Sequence, residues 1–155
     1  MNNTRNIVRL LVTHGKCLLL AKVLKKGFFF LPGGGIEYNE ALYAAAEREL
    51  WEELNVAKEE IYLIEPIGVY EHSWNDNGSP FHELNIICQC SIKGFSSGTP
   101  VRSAERHLGF EWIDLTALGK IDLRPEAFKT LIPQWCEGQR MRQFFASSML
   151  DRSQG

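Results

Sequence analysis

The sequence lacks any apolar segment long enough to cross a membrane. No run approaches the ~20 apolar residues that a membrane helix needs, and the first residues, MNNTRNIVRLL, lack the apolar core of a signal peptide. These absences predict a cytoplasmic protein without a membrane partner. No internal repeat or linker-like stretch occurs either, so we expect one domain over residues 1–155, with its core at about residues 5–148.

An excess of positive charge is also missing. The 17 basic and 19 acidic residues give a formal net charge of −2, so no basic field is available to hold nucleic acid by its phosphates. We therefore expect no stable complex with nucleic acid. A small anionic ligand would need local help, such as a metal ion.

Cysteine is scarce and is not spaced for metal binding. The four cysteines include Cys88 and Cys90, which lie in an alternating apolar run, and no CxxC pair occurs. A zinc site is therefore disfavoured. Because free cysteines usually behave as small apolar residues, we expect buried, reduced thiols.

The remaining pattern is that of an α/β (α+β) protein with a mixed sheet flanked by helices. Alternating and apolar runs predict strands at residues 6–13, 17–23, 28–31, 61–72, 81–93 and 110–115. Pro66 is expected to interrupt the fourth of these, and residues 73–80 to form a turn. Phe28, Phe29, Phe30 and Trp135 are expected in the core.

Three helical segments complete this prediction. The first covers residues 40–54 and is capped by Asn39. The second runs to about Trp135, with Pro125 in its first turn. Residues 140–155 are expected to form a short helix and a frayed tail.

An acidic cluster ends the most distinctive stretch, residues 31–56, LPGGGIEYNEALYAAAERELWEELNV. At 3.6 residues per turn, Glu49 and Glu53 share a meridian with Ala46, and Glu52 lies three residues from Glu49. A solvated acidic helix face is one interpretation. Like charges within one turn repel each other, however, and apolar neighbours would turn Glu49 and Glu53 inward. The pattern therefore favours a site for Mg²⁺ or Mn²⁺.

Two further features accompany this cluster. Arg48 lies two helical turns from Glu40, within reach of a salt bridge. Gly33, Gly34 and Gly35 permit a close approach between the backbone and a ligand. Each feature is weak alone, and their joint spacing is what indicates a functional site.

The spacing resembles the Nudix box, G-x5-E-x7-R-E-U-x-E-E-x-G-U, where U is a bulky aliphatic residue. The matching positions are Gly34, Glu40, Arg48, Glu49, Leu50, Glu52, Glu53 and Val56. Asn55 stands where the family usually has glycine, and asparagine is the next-best residue for a left-handed helix end. The resemblance implies the Nudix fold, an α/β/α sandwich with a central mixed β-sheet, over nearly the whole chain.

That resemblance implies a Mg²⁺-dependent hydrolase (or one using Mn²⁺) that cleaves the diphosphate linkage of a nucleoside diphosphate joined to another group, X. Glu49, Glu52 and Glu53 would hold the metal. Arg48 would orient the carboxylates. The general base would be Glu52, Glu53 or the more distant Glu105, for which an exposed loop charge is an equally weighted interpretation.

Substrate contacts are expected from the backbone of Gly34 and Gly35 and from both sides of the 73–80 turn. The side chains singled out are Trp74, His82 and Glu83, within a wider set of Tyr70, Glu71, His72 and Phe81. Packing on the strand surface is the alternative for each of them.

Several alternatives stay open at this point. The substrate would be ADP-ribose or another nucleotide sugar, a nucleoside triphosphate, a dinucleoside polyphosphate or a capped RNA end. A second hypothesis is a non-catalytic Nudix-fold module that senses a nucleotide, and a third is a structural protein with an acidic helix. A homodimer is a further expectation from the family resemblance.

Overall fold

The computed structural model describes residues 4–138 and 144–149. In order, the strands are β1 (Thr4–His14), β2 (Cys17–Val23), β3 (Phe29–Phe30), β4 (Gly33–Gly35), β5 (Ile61–Asp76), β6 (Ser79–Ile92), β7 (Leu108–Asp114) and β8 (Phe145–Ser147). The helices are α1 (Leu42–Leu54) and α2 (Phe128–Cys136), with 3₁₀ turns at Lys58–Glu60 and Leu115–Lys120. Across these ranges, no helix combines the length and hydropathy that a bilayer crossing requires.

The strands form a mixed sheet in the order β3-β2-β1-β6-β5-β8, with β4 added to β1 and β7 added to β2. The central pair, β1 and β6, is parallel, whereas β5 and β6 form a long antiparallel hairpin. The mixed sheet predicted from the sequence is therefore confirmed.

The two helices cover opposite faces of this sheet. Alternation along β1 sends Leu10 into an apolar cluster with Leu50 of α1, and sends Leu11 into a second cluster with Phe128 and Trp135 of α2. The α/β/α sandwich is confirmed, and Trp135 lies in the core as expected, fully buried.

The β5–β6 hairpin is longer than its composition indicates. The turn predicted for residues 73–80 is wrong, because the turn contains only Asn77 and Gly78, with φ values of 49° and 90°. Positive φ at both positions is typical of the two-residue turns favoured in β-hairpins. Trp74 and Phe81 pair in register and stack at 4.6 Å between ring centroids. Cross-strand packing of this kind keeps polar flanking residues in the strands. Pro66 causes a register irregularity in β5 rather than a break.

Helix α1 starts later than predicted, at Leu42, with Ala41 at its N-cap position. Asn39 has a φ of 60° and lies in the preceding turn. Glu40 closes that turn by accepting a 2.9 Å hydrogen bond from the Glu37 N–H. Asn39 does not cap the helix, because Ala41 occupies the N-cap position. At the other end, Asn55 adopts the predicted left-handed conformation, with a φ of 55°.

The carboxyl-terminal predictions need two corrections. Pro125 precedes α2, which begins at Phe128 after a turn closed by the Phe128 N–H and the Pro125 carbonyl at 3.0 Å. Residues 145–147, expected to be helical or frayed, form β8 and pair in parallel with β5. The rest of the predicted 140–155 segment, at residues 140–143 and 150–155, lies outside the described residues.

The cysteines are only partly buried. Cys88 and Cys90 lie in the core as expected, whereas Cys17 is half-buried and Cys136 is exposed. Cys136 is the last residue of α2, where the helix leaves the core, and burial therefore holds only for the pair in β6.

Candidate active site

Arg48, on α1, lies at the centre of a cluster of carboxylates. Its guanidinium donates to Glu40 Oε1 and Glu49 Oε1, both at 2.7 Å, and to Glu52 Oε2 at 3.3 Å. A further bond of 2.9 Å reaches the Gly35 carbonyl. The hydrogen bonds from Arg48 hold the pKa of Glu40 down at about 2. Arg48 and Glu40 thus pair as their spacing predicts, and Arg48 joins the helix to β4.

Glu49 and Glu53 point inward, with only 7% and 4% of their surface exposed. Burial raises the pKa of Glu49 despite its bond to Arg48. Burial, followed by repulsion from Glu49, raises the pKa of Glu53 to about 8. Glu53 Oε2 accepts one hydrogen bond, of 3.2 Å, from the Gly33 N–H. The helix therefore buries two carboxylates that are short of positive charge.

The glycines of β4 bring the sheet backbone against these carboxylates. β4 pairs with β1, so that Gly34 lies opposite Val8. A Cβ on Gly34 would stand 2.5 Å from Glu49 Oε1, and a Cβ on Gly33 would overlap the Val8 carbonyl oxygen. Gly33 also has a φ of 129°, which side-chain-bearing residues rarely adopt. Glycine at both positions is needed for this close approach.

Glu105, far away in sequence, is held beside the same cluster. The Ala104 N–H donates a 2.8 Å hydrogen bond to the Glu53 carbonyl, which ties the loop to α1. The negative charge of Glu105 contributes to the raised pKa values of Glu49 and Glu53. Its carboxylate also lies 3.3 Å from His107 Nε2. The structure thus brings the predicted distal carboxylate to the box, while its role stays a prediction.

The chemistry of this donor set suits a hard divalent cation. The ligating atoms on offer are carboxylate oxygens, which Mg²⁺ and Mn²⁺ prefer. Within residues 4–138 and 144–149, no three His, Cys, Asp or Glu side chains already converge on one point. Arg48 Nη1 lies between Glu49 and Glu52 and binds both. The residues fit a metal by chemistry and charge, and ligation by Glu49, Glu52 and Glu53 is taken up as a proposal below.

A cavity of about 540 Å³, here called the aromatic cavity, opens next to the box. Its walls combine aromatic, apolar and basic side chains with one carboxylate: Arg9, Val23, Phe28, Phe30, His72, Trp74, Glu83, His107, Leu108, Arg124 and Pro125. Its size lies within the range of small-molecule sites. Trp74 and Glu83, predicted as substrate contacts, both line it.

His82, the other predicted side chain, does not reach the aromatic cavity. It follows Phe81 and precedes Glu83 on β6, so strand alternation turns it to the opposite face from Glu83. There its Nε2 lies 3.0 Å from Glu71 Oε1. A substrate contact from His82 therefore has no support from this cavity.

Two phenylalanines expected in the core line the cavity instead. Only Phe29 is buried, at 6% exposure, whereas the Arg124 guanidinium covers the Phe28 ring at 4.2 Å and Arg9 lies 6.0 Å from the Phe30 ring centroid. The sequence did carry a signal for this arrangement. Successive side chains of a strand point to opposite faces, so Phe28 and Phe30 are expected on the face opposite to Phe29. No motif or spacing in the sequence marked Arg9 or Arg124 as residues of a site.

Arg9 links the aromatic cavity to the carboxylates. Its Nε donates to Asn85 Oδ1 at 3.1 Å and its Nη1 to the Leu31 carbonyl at 3.3 Å. Burial lowers the pKa of Arg9, and the charges of Glu83 and Glu53 oppose that shift. The cavity and the acidic helix therefore share one electrostatic environment.

Comparisons with known proteins agree with this arrangement. The family model described as NUDIX domain matches residues 2–134. The fold is similar to that of a MutT NUDIX hydrolase from Burkholderia pseudomallei, at 24% identity and a TM-score of 0.58 over 73% of this chain and 84% of that one. It is also similar to a C. elegans Ap4A hydrolase, at 19% identity and a TM-score of 0.64 over 87% and 97% of the two chains.

A MutT protein from Methanosarcina mazei Go1 is a third similar structure, at 18% identity and a TM-score of 0.64 over 89% of this chain and 96% of that one. Identities this low establish a common fold, and the family match adds the assignment that the box predicts. The chain therefore belongs to the Nudix family and is a hydrolase of pyrophosphate bonds.

Proposed function

We propose that this protein is a Mg²⁺-dependent pyrophosphohydrolase that cleaves the diphosphate linkage of a nucleoside diphosphate joined to a group X. The observation that carries this proposal is the buried pair Glu49 and Glu53, whose pKa values are both raised by burial. Such carboxylates are unfavourable without a compensating cation. A divalent ion together with a bound diphosphate would supply the balance of charge.

Glu49, Glu52 and Glu53 are the residues that would hold the metal, with Mn²⁺ as a substitute. Once bound, Mg²⁺ would neutralise phosphate charge and acidify a water molecule at neutral pH. Glu52 is the accessible member, with 48% of its side chain exposed, and it can turn away from Arg48 at small cost. Gly34 and Gly35 offer backbone groups beside these ligands.

Arg48 has a positioning role in this proposal. Its bonds of 2.7 Å to Glu40 and Glu49 fix the direction of the Glu49 carboxylate. The proton of the attacking water would pass to Glu52, Glu53 or Glu105. Burial raises the pKa of Glu53 to about 8 in the protein without metal, and a bound cation would lower it and leave the ionised form that accepts a proton.

The aromatic cavity would hold the nucleoside. Phe28, Phe30 and Trp74 present flat apolar surfaces on which a base can stack. The products would be a nucleotide and X-phosphate, or pyrophosphate if the substrate is a nucleoside triphosphate. Because one similar structure is named an Ap4A hydrolase, dinucleoside polyphosphates belong among the candidates, together with ADP-ribose, nucleotide sugars and capped RNA ends.

A substrate panel tests the activity. Purified protein is incubated with each candidate class, with Mg²⁺, with Mn²⁺ or with EDTA, and the nucleotide products are separated and measured by anion-exchange chromatography. We expect turnover of at least one class that disappears in EDTA. Turnover that persists in EDTA would refute metal dependence, and failure of every class would favour a nucleotide sensor.

A second readout does not depend on turnover. Ligands that bind only the folded protein raise its melting temperature by mass action. We expect Mg²⁺ to stabilise the wild type and to stabilise Glu53→Gln much less, with Glu59→Gln as a matched control, because Glu59 is exposed on the 3₁₀ turn. Equal stabilisation of all three proteins would refute a metal site on α1.

The setting of the enzyme is part of the same proposal. We propose a single Nudix domain over residues 1–155 that works in the cytoplasm on small nucleotide derivatives, without a stable complex with nucleic acid, and that can form a homodimer. The net charge of −2 supports the proposal that the protein forms no stable complex with nucleic acid. Limited proteolysis and light scattering after gel filtration test the domain and the dimer.

A further inference from the structure

Strand β8 packs against the wall of the aromatic cavity. It pairs in parallel with β5, placing Ser147 in register with Glu71, and the Ser148 N–H donates to the Glu71 carbonyl at 3.0 Å. Ser148 therefore lies beside His72, which lines the cavity. A segment almost at the end of the chain thus touches a residue of the ligand site.

Two hydroxyl groups face one ring nitrogen of His72. Ser148 Oγ lies 3.2 Å from His72 Nδ1, and the Tyr70 hydroxyl lies 3.5 Å from the same atom, with the two rings stacked. Ser148 Oγ already accepts a 3.3 Å hydrogen bond from the Ser73 N–H. Ser148 also hydrogen-bonds the Tyr70 side chain. Either hydroxyl can donate to Nδ1, which then acts as the acceptor.

A hydroxyl that donates to Nδ1 would set the tautomer of His72. Burial lowers the pKa of His72 and favours the neutral ring. A neutral imidazole carries a single N–H, so a ring that accepts at Nδ1 must carry its proton on Nε2. His72 then offers a hydrogen-bond donor at its other ring nitrogen.

Glu83 supplies an acceptor next to this donor. It lies directly opposite His72 in the β5–β6 register and lines the same cavity. Its side chain is only 9% exposed, and Arg5 Nη1 lies 4.0 Å from its Oε1, beyond hydrogen-bond distance. The carboxylate therefore keeps acceptor capacity for a ligand. Side chains opposed in this way are about 5 Å apart at Cβ.

We propose that Ser148 is a positioning residue that fixes His72 as an Nε2–H donor beside the Glu83 acceptor, and that this pair binds the edge of a heterocyclic base. The base carries a carbonyl or ring-nitrogen acceptor next to an N–H donor, the complement of the pair. The proposal rests on the proposed function only in taking the base as part of the substrate.

The tautomer is measured first, on the protein without substrate. Nitrogen-15 NMR of labelled histidine, assigned with His72→Gln, distinguishes Nε2–H from Nδ1–H. We expect Nε2–H in the wild type, a mixture of tautomers in Ser148→Ala, and recovery in Ser148→Thr, which keeps the hydroxyl at an exposed position. An Nδ1–H wild type, or a spectrum that Ser148→Ala leaves unchanged, would overturn the proposal.

Ligand binding is measured second. Loss of one oriented hydrogen bond should raise the KM of Ser148→Ala about 5–10-fold with kcat within about twofold. Ser147→Ala is the matched control, because its hydroxyl donates to Glu71 Oε2 instead. Nucleoside monophosphates should bind Ser148→Ala more weakly, whereas ribose 5-phosphate, which lacks the base, should bind both proteins equally.

These readouts keep the two proposals separate. Equal weakening for ribose 5-phosphate, or a loss of kcat alone, would overturn base recognition by His72 and Glu83. Absence of turnover would count against the proposed function, while the tautomer and the binding of monophosphates would still decide the role of Ser148.

Discussion

The acidic helix and the aromatic cavity balance charge in opposite ways. At α1, the carboxylates of Glu49 and Glu52, and of Glu40 in the preceding turn, all bind the single guanidinium of Arg48. Glu53 lies buried beside them. In the aromatic cavity, one carboxylate faces two arginines among aromatic and apolar walls. The first region is short of positive charge, whereas the second contains more positive than negative side chains.

This difference separates the chemistry from the recognition of substrate. A site short of positive charge gains most from a metal ion, and its geometry controls the chemical step. A cavity with flat apolar walls gains most from burying a base. Changes to the carboxylates of α1 should therefore reduce kcat, and changes to the walls of the cavity should raise KM.

Replacement of Glu53 by glutamine is expected to have the largest effect. It preserves volume but removes the charge that holds the metal or accepts the proton, so kcat should fall on the order of 10²–10⁴-fold. Binding of a nucleoside monophosphate without metal, measured by calorimetry, should change less than about twofold. Glu59→Gln serves as the control. A large loss of nucleotide affinity in Glu53→Gln would break the separation of the two regions.

The next largest effect is expected for Gly34→Ala. Its Cβ would meet Glu49 Oε1 at 2.5 Å and Cδ at 2.9 Å, which displaces the carboxylate, and a displacement of this order costs roughly 10²-fold in kcat. Gly35→Ala, whose Cβ would meet only Arg5 Nη2 at 3.8 Å, should lose less.

Gly119→Ala is the folding control for that pair, because a Cβ there meets nothing within 4 Å. Circular dichroism checks that all three proteins fold. Equal kcat values for Gly34→Ala and Gly35→Ala would show that the Glu49 carboxylate moves without consequence.

The acidic helix was predictable because its information is local. Spacings of three and four residues place Glu49, Glu52 and Glu53 along one side of a helix whatever the rest of the chain does. Burial of Glu49 and Glu53 followed from the apolar residue on their meridian. Even here the start of α1 was missed, since Glu40 rather than Asn39 closes the preceding turn.

The aromatic cavity was only partly predictable because strand pairing assembles it. Arg9 comes from β1, Glu83 from β6 and Arg124 from the segment after β7, and no spacing in the sequence relates them. Alternation shows that His82 and Glu83 face opposite ways, but not which face carries the cavity. Strand β8 was missed for the same reason, since three residues acquire strand character only by pairing with β5.

Trp74→Ala tests whether the aromatic cavity binds the base of the substrate. Removing one stacking surface costs about 1–3 kcal/mol per base, so KM should rise by roughly 5–160-fold while kcat stays within about twofold. Steady-state kinetics on the best substrate of the panel measure both constants. Trp51→Ala, at an exposed tryptophan on α1, should match the wild type. A fall in kcat without a change in KM would contradict a stacking role.

The smallest effect concerns stability against pH without metal. Burial raises the pKa of Glu53 from 4.5 to about 8, so between these pH values the folded protein holds a proton that the unfolded chain has released. The resulting stabilisation is fully present below pH 4.5 and is lost as pH rises through 8. The melting temperature in EDTA should therefore fall over this window, by on the order of 10 °C more in the wild type than in Glu53→Gln.

Glu49 shifts in the same direction, so Glu53→Gln should keep part of the slope, whereas Glu59→Gln should keep all of it. Adding Mg²⁺ at pH 8 should restore the wild type, because a bound cation favours the ionised carboxylate that burial disfavours. Parallel melting curves for the wild type and Glu53→Gln would mean that Glu53 is already balanced within the protein. In that case the two regions would not differ in their need for positive charge.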